Sequence, residues 1–299
     1  MFFSSEVFIR YTVLRPPIYL WRLSKAIPLL GMFTLLASTP VSAREAITVD
    51  PETLSLKNQD AMIDYINRVQ SSWTAVSSAS VITDRICITT NGAFKDTISA
   101  WDIASCCVEN KCGLGCDGGF PIKAFEHYVK NGVVTGGEFG TNKGCMPYEI
   151  KGCSHHMGKD GKYPDCHSYN ETVVPKCLTM CPNKNYKIAF TKDKHFGKRA
   201  YTVKVADLKK ELFTFGPVIM CFEIFEDFYL YKTGIYHHTT GKSMGWHAVR
   251  IVGYGNGYWL ATNSWNPEWG DHGTFKIKSF VNDCSSEEEG FDTTEPKIS

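Results

Sequence analysis

All but two of the chain's twelve cysteines fall between Cys87 and Cys181. No other feature of the sequence restricts the fold as strongly. So many thiols in one interval point to an oxidising compartment, where disulfides fix loops that a small core would not hold. Residues 91–185 are also rich in Gly, Pro and His. That interval is expected to keep its shape by cross-links more than by regular structure. Sequence alone does not choose the pairing. A zinc site built from Cys106, Cys107, Cys112 and Cys116 is the weaker alternative for a chain of this kind.

The N-terminus agrees with export. Arg10, Arg15, Arg22 and Lys25 precede the apolar run "AIPLLGMFTLLA", and "STPVSA" follows it. Residues 1–43 read as a signal peptide cleaved after Ala43. A signal anchor is the competing reading, but the run is short for a membrane span and Pro28 interrupts it. No other segment is long and apolar enough to cross a bilayer. Asn170-Glu171-Thr172 is a glycosylation sequon, placing Asn170 on a surface loop. The formal charge of +1 on 299 residues argues against a nucleic-acid partner.

The periodicity changes along the chain. Asp50-Pro51-Glu52 is a helix start. Met62, Tyr65, Ile66, Val69 and Trp73 follow it at helical spacing, and a second helical pattern covers 76–90. "PIKAFEHYVKNG" and "ADLKKELFTFG" read as helices closed by glycine. "AYTVKV", "PVIMCFEI", "HAVRIVGYG", "GYWLATNSW" and "TFKIK" read as strands. The fold class is therefore α+β, with a helical, disulfide-rich half followed by a sheet half. The acidic stretch after Asp283 is expected to be a mobile tail.

Two of these strands carry chemistry. His247 is expected to begin one, and Asn263, followed by Ser264 and Trp265, ends the next. A neutral imidazole needs a third group to fix its tautomer and aim it at a nucleophile. An asparagine carboxamide can do this, and a tryptophan beside the pair keeps water away.

These two segments resemble the histidine and asparagine segments of papain-family cysteine proteases. "SCCVENKCGLGCDGGFP" resembles that family's cysteine- and glycine-rich segment, where Gly118 and Gly119 would lay bare backbone along the substrate cleft. "GCMPYEIKGCSHHMGKDGKYPDC" resembles the occluding loop of the cathepsin B branch. There His155 and His156 would bind a substrate's C-terminal carboxylate. Glu289 matches the acidic residue at the base of the S2 pocket.

The resemblance implies a papain-like two-domain fold. A truncated left domain would span 76–182, with the loop at about 144–167. A right domain would span 183–290, and a tail 291–299. It implies the pairs Cys106–Cys177, Cys107–Cys112, Cys145–Cys181 and Cys153–Cys166. Cys87, Cys116, Cys221 and Cys284 are left without partners. It also implies a secreted or lysosomal monomer acting on peptide or protein substrates, open to cystatin-like inhibitors, with no cofactor and no metal.

One part is missing. The family's nucleophile lies in a Cys-Gly-Ser-Cys-Trp segment, which occurs nowhere in this chain. Counting back from Asp84-Arg85 puts Trp73 at the nucleophile's position and Thr74 at the next. Residues 61–75 resemble the family's propeptide, making 44–75 its remnant, whereas residues from Val76 resemble the helix that follows the nucleophile. The sequence between these segments is absent, and they abut at Ala75-Val76. The chain is thus either an incomplete version of a working protease or a non-catalytic relative.

Overall fold

The computed structural model describes residues 71–107, 112, 119–154, 162–165 and 176–298, with the backbone alone for 71–73. The Asp50 helix start, Gly118, His155, His156, Cys116, Cys166 and Asn170 lie outside the described residues.

Helix α1, Ser71–Thr89, runs through the Ala75-Val76 junction without a break. Serine and threonine are modest helix formers because their hydroxyls compete for backbone groups. Here the hydroxyls bond back into the helix: Ser80 Oγ to Val76 O at 2.8 Å, Thr83 Oγ1 to Ala79 O at 2.7 Å and Thr89 Oγ1 to Arg85 O at 2.7 Å. Packing supplies what propensity does not. Ala75, Ala79, Val81, Ile82 and Ile86 are all buried, in one core with Phe125, Tyr128, Ile219 and Ala248. The helix ends where Asn91 and Gly92 take left-handed backbone, with Gly92 N donating to Cys87 O.

Two further helices complete the first half. In α2, Ala100–Cys106, Ser99 caps the first turn by accepting from Asp102 N. Helix α3, Pro121–Asn131, opens on proline and closes at Gly132, whose φ is 68°. Strands β1, Thr97–Ile98, and β2, Thr135–Gly136, form a small antiparallel pair. Cys106 bonds Cys177, Cys107 bonds Cys112 and Cys145 bonds Cys181. Cys153 is also disulfide-bonded, and Cys166, the partner the resemblance implies, lies outside the described residues. Cys87, Cys221 and Cys284 are free thiols.

The second half is a seven-stranded sheet in the order β3-β9-β4-β6-β7-β8-β5. Its strands are β3 (Gly197–Val203), β4 (Val218–Phe225), β5 (Ile235–Tyr236), β6 (Ser243–Gly255), β7 (Tyr258–Thr262), β8 (Thr274–Lys278) and β9 (Phe291–Pro296). All neighbours are antiparallel except β5 and β8. Helix α4, Leu208–Phe215, ends at Gly216. A side chain at Gly216 would strike Ile88 Cδ1 at 2.4 Å.

The chain's end departs from the sequence expectation. The segment 291–299 is not a tail, because β9 lies inside the sheet between β3 and β4. Phe291, Thr293 and Thr294 are fully buried. Acidic neighbours gave the segment the look of a solvated end. Its alternating Phe and Thr residues nevertheless suit a pleated surface, and Thr294 Oγ1 donates to Arg199 O at 2.8 Å. Asp292, on the same strand, accepts from Ile122 N at 3.1 Å and so caps α3. The chain end thus ties the two halves together.

Buried charge ties them again. Arg85 is 1% exposed and donates to Pro217 O, Tyr201 OH, Thr294 O, Glu211 Oε1 and Gly216 O at 2.8–3.1 Å. Beside it, Asp84 pairs with Arg250 of β6 at 2.7 Å.

Candidate active site

The strand that carries His247 starts earlier than expected. β6 begins at Ser243, four residues before His247, so His247 sits inside the strand opposite Phe222 of β4. Its ring is 2% exposed. Asn263 follows the last residue of β7 and is also buried, at 3%. The neighbouring β6 and β7 bring the two together, with His247 Nε2 2.9 Å from Asn263 Oδ1.

The tautomer follows from the hydrogen bonds. Asn263 Oδ1 also accepts from Ser264 N at 2.7 Å, so it is the carbonyl oxygen. Nε2 therefore carries the proton it shares with Asn263, and Nδ1 is the nitrogen that would trade a proton with a reacting group. Burial lowers the imidazole's pKa to about 4 despite the Asn263 bond, which opposes it. The ring is neutral over the whole range above that value.

Trp265 covers the pair. Its ring centroid is 5.3 Å from that of His247, and Tyr229 stacks on it at 4.9 Å and 14°. Phe228 lies beneath, with ring centroids 4.9–5.4 Å from those of Trp265, Trp269 and Phe275. Tyr229 and Phe228 belong to a short 3-10 turn, Glu226–Leu230. Asp227 anchors this turn to the next loop by accepting from Thr239 N, Tyr236 OH and Thr240 N and facing His238 Nδ1.

Asp227 gives a pH prediction. Burial raises its pKa, but the hydrogen bonds outweigh burial and hold it below the usual 3.8. A carboxyl depressed in the folded state adds stability above its unfolded pKa, and that stability is lost as pH falls through the folded value. Asp227→Asn is expected to cost about 1–3 kcal/mol at neutral pH. The gap from wild type should close below 3.8. Urea midpoints measured down a pH series test this, and parallel curves for the two proteins would refute it. His247 adds an acid-sensitive contribution to both proteins, falling from 6.5 downward because the unfolded chain takes that proton first. It cancels in the comparison.

Helix α1 packs on β6 next to His247. Ser77 Oγ donates to Ala248 O at 2.8 Å. One helical turn earlier, the backbone of Trp73 occupies the position counted for the nucleophile. Thr74 is buried, with Oγ1 3.4 Å from Gly119 O. A side chain on Gly119 would strike Cys112 O at 2.6 Å, so only glycine fits there.

Sequence reasoning missed how the segment around Cys153 and Lys162 is held. Asn266 Nδ2 donates to Cys153 O at 3.2 Å, and Lys162 N donates to the Glu268 carboxylate. Ser154 N to Pro164 O, at 2.8 Å, closes the base of the loop. The signal was present in the polar residues directly after Trp265. The acidic run is also sorted. Glu287 turns inward and accepts from Trp259 Nε1, Phe280 N and Asn282 N, whereas Glu289 is exposed. Burial raises the Cys221 thiol to about 12, with Asp292 and Glu289 adding to the rise. That thiol is inert at working pH. No cluster of potential metal ligands occurs among the described residues, and none of their helices is long and apolar enough to cross a membrane.

A buried His–Asn pair roofed by tryptophan, set where a disulfide-linked helical half meets an antiparallel sheet, defines a papain-like scaffold. The model of the papain family of cysteine proteases matches residues 55–293, and the chain belongs to that family. Within the family it is cathepsin B-like. It is 43% identical over 249 residues to cathepsin B-like cysteine proteinase 4 of Caenorhabditis elegans, covering 79% of this chain and 73% of that protein. Against cathepsin B-like cysteine proteinase 5 of the same organism, identity is 41% over 261 residues, covering 83% and 75%. Among solved structures, proCathepsin B S9 from Trypanosoma congolense matches with a TM-score of 0.61 and 28% identity, covering 87% of this chain and 85% of that one.

Proposed function

We propose that this chain comes from a secreted or lysosomal cathepsin B-type peptidase, endopeptidase and dipeptidyl carboxypeptidase, and that as written it is catalytically silent. The observation that carries this reading is a complete His247–Asn263–Trp265 arrangement beside a helix whose nucleophile position holds Trp73. In a complete form, a cysteine thiolate attacks the scissile carbonyl. His247 Nδ1 takes the thiol's proton as that thiolate forms, returns it to the leaving amine as the C–N bond breaks, and then activates the water that hydrolyses the thioester, with Asn263 orienting the ring. An indole can do none of the nucleophile's work.

His155 and His156 would receive the substrate's C-terminal carboxylate, and Glu289 would favour a basic side chain at P2. Gly118 and Gly119 would lie along the peptide. Asn170 would carry a glycan. The chain would act alone, without metal or cofactor, and cystatin-like inhibitors would fit the same cleft.

The junction favours an incomplete protease over a drifted relative. Drift would have kept the flanking segment and replaced one cysteine, whereas here the whole piece is absent and the rest of the site is kept. The purified chain is expected to show no cleavage of a dibasic fluorogenic peptide. Turnover that an epoxide thiol reagent blocks would overturn this. Sequencing the transcript across Gln70 to Asp84 separates the two origins. A longer product encoding the cysteine segment means an incomplete version, and the short product alone means a non-catalytic peptide- or inhibitor-binding protein.

A further inference from the structure

Away from the cleft, α4, the β6–β7 hairpin and the loop after β8 meet at the surface. Phe213, on α4, is 83% exposed, and Phe280 and Val281 are 52% and 53% exposed. Lys209 lies one helical turn before Phe213. Its Nζ sits over two exposed rings, 5.4 Å from the centroid of Tyr254 and 5.0 Å from that of Phe280. Lys278 is exposed two residues before Phe280. Neither Lys209 nor Lys278 has an acidic partner among the ion pairs of the described residues. Of the three consecutive acids in the following loop, Glu287 is turned inward onto Trp259 and two backbone amides, and Glu288 and Glu289 are exposed.

Phe280 also holds a left-handed backbone, with φ of 60°. A bulky residue pays conformational strain there, and glycine would not. The chain thus displays a phenylalanine at a position whose backbone suits glycine.

We propose that this patch docks the protein peripherally on an anionic membrane surface. Phe213, Phe280 and Val281 would enter the headgroup–acyl boundary. Lys209 and Lys278 would remain at headgroup level, their stems along the aromatic rings. Charge complementarity selects this occupant: unpaired ammonium groups border exposed apolar tips, which matches a surface with anions outside and hydrocarbon just beneath. The contact is interfacial and is independent of the peptidase reading.

The test is co-sedimentation of the purified chain with phosphatidylcholine vesicles, with and without phosphatidylglycerol. Binding is expected only to the anionic vesicles. Lys209→Glu should weaken it by about fivefold or more. Phe213→Ser with Phe280→Gly should weaken it at least comparably. Phe280→Gly relieves the left-handed strain but removes a ring 5.0 Å from that of Trp259, so Phe213→Ser alone, at a side chain 83% exposed, should weaken binding with its melting temperature unchanged, which separates lost docking from lost folding. No sedimentation with anionic vesicles would overturn the proposal. So would binding that the lysine change abolishes and the phenylalanine changes leave intact, because that marks a bare polyanion site.

Discussion

Arg85→Met is expected to lower the stability of the chain by about 3–5 kcal/mol. The arginine is 1% exposed, and its guanidinium makes five hydrogen bonds to β3, β9, α4 and the turn before β4. Methionine fills much of the same volume but donates nothing. It leaves the Glu211 carboxylate, 11% exposed as a side chain, buried without its cation and still bonded by Tyr201 OH at 2.6 Å. It also removes the Arg85 donors from the carbonyls of Pro217, Gly216 and Thr294. An uncompensated buried charge costs more than the pair contributed. Urea unfolding measures the loss. Adding Glu211→Leu to Arg85→Met should recover part of it, since the stranded charge is then gone. A loss below about 1 kcal/mol in the single variant would show that water reaches the site. The effect bears on function because Arg85 docks α1 against the sheet, and α1 sets position 73 relative to His247.

Phe228→Ala is expected to cost about 3–5 kcal/mol. Its fully buried ring touches Phe222, Tyr236, Trp265, Trp269 and Phe275, with centroids 4.9–5.4 Å away. Those neighbours are rigid and held on different strands and turns, so the cavity cannot collapse cheaply. Trp265 would lose its underside support and tilt away from His247. Near-ultraviolet circular dichroism, dominated by the packed tryptophans, should fall along with the denaturation midpoint. Phe228→Leu should lose much less of both. Equal losses in the two variants would mean that ring packing is not what holds Trp265.

Much of the site was legible because its signals are local. His247, Asn263 and Trp265 occur in two short segments whose strand character is written in alternating apolar residues, and neighbouring strands brought them within hydrogen-bonding distance. Helix α3 and strands β4 and β8 likewise carry their own periodicity and end signals. The start of β6 was misplaced because Ser243, Met244 and Gly245 are not strong strand formers and this end is held by pairing with β4.

What the sequence by itself determined, then, was the α+β class, the two short segments that carry His247, Asn263 and Trp265, and the absence of any Cys-Gly-Ser-Cys-Trp segment. Each of these rests on residue identity or on periodicity over a few residues. Only the tertiary structure decided that residues 291–296 form an inner strand, that Asp292 caps α3, and that Arg85 is the buried bolt between the halves. A polar residue's role depends on which distant donor or acceptor folding brings to it. Thr294 and Arg85 are 209 positions apart in the chain yet meet at 3.0 Å, and no local pattern encodes that meeting.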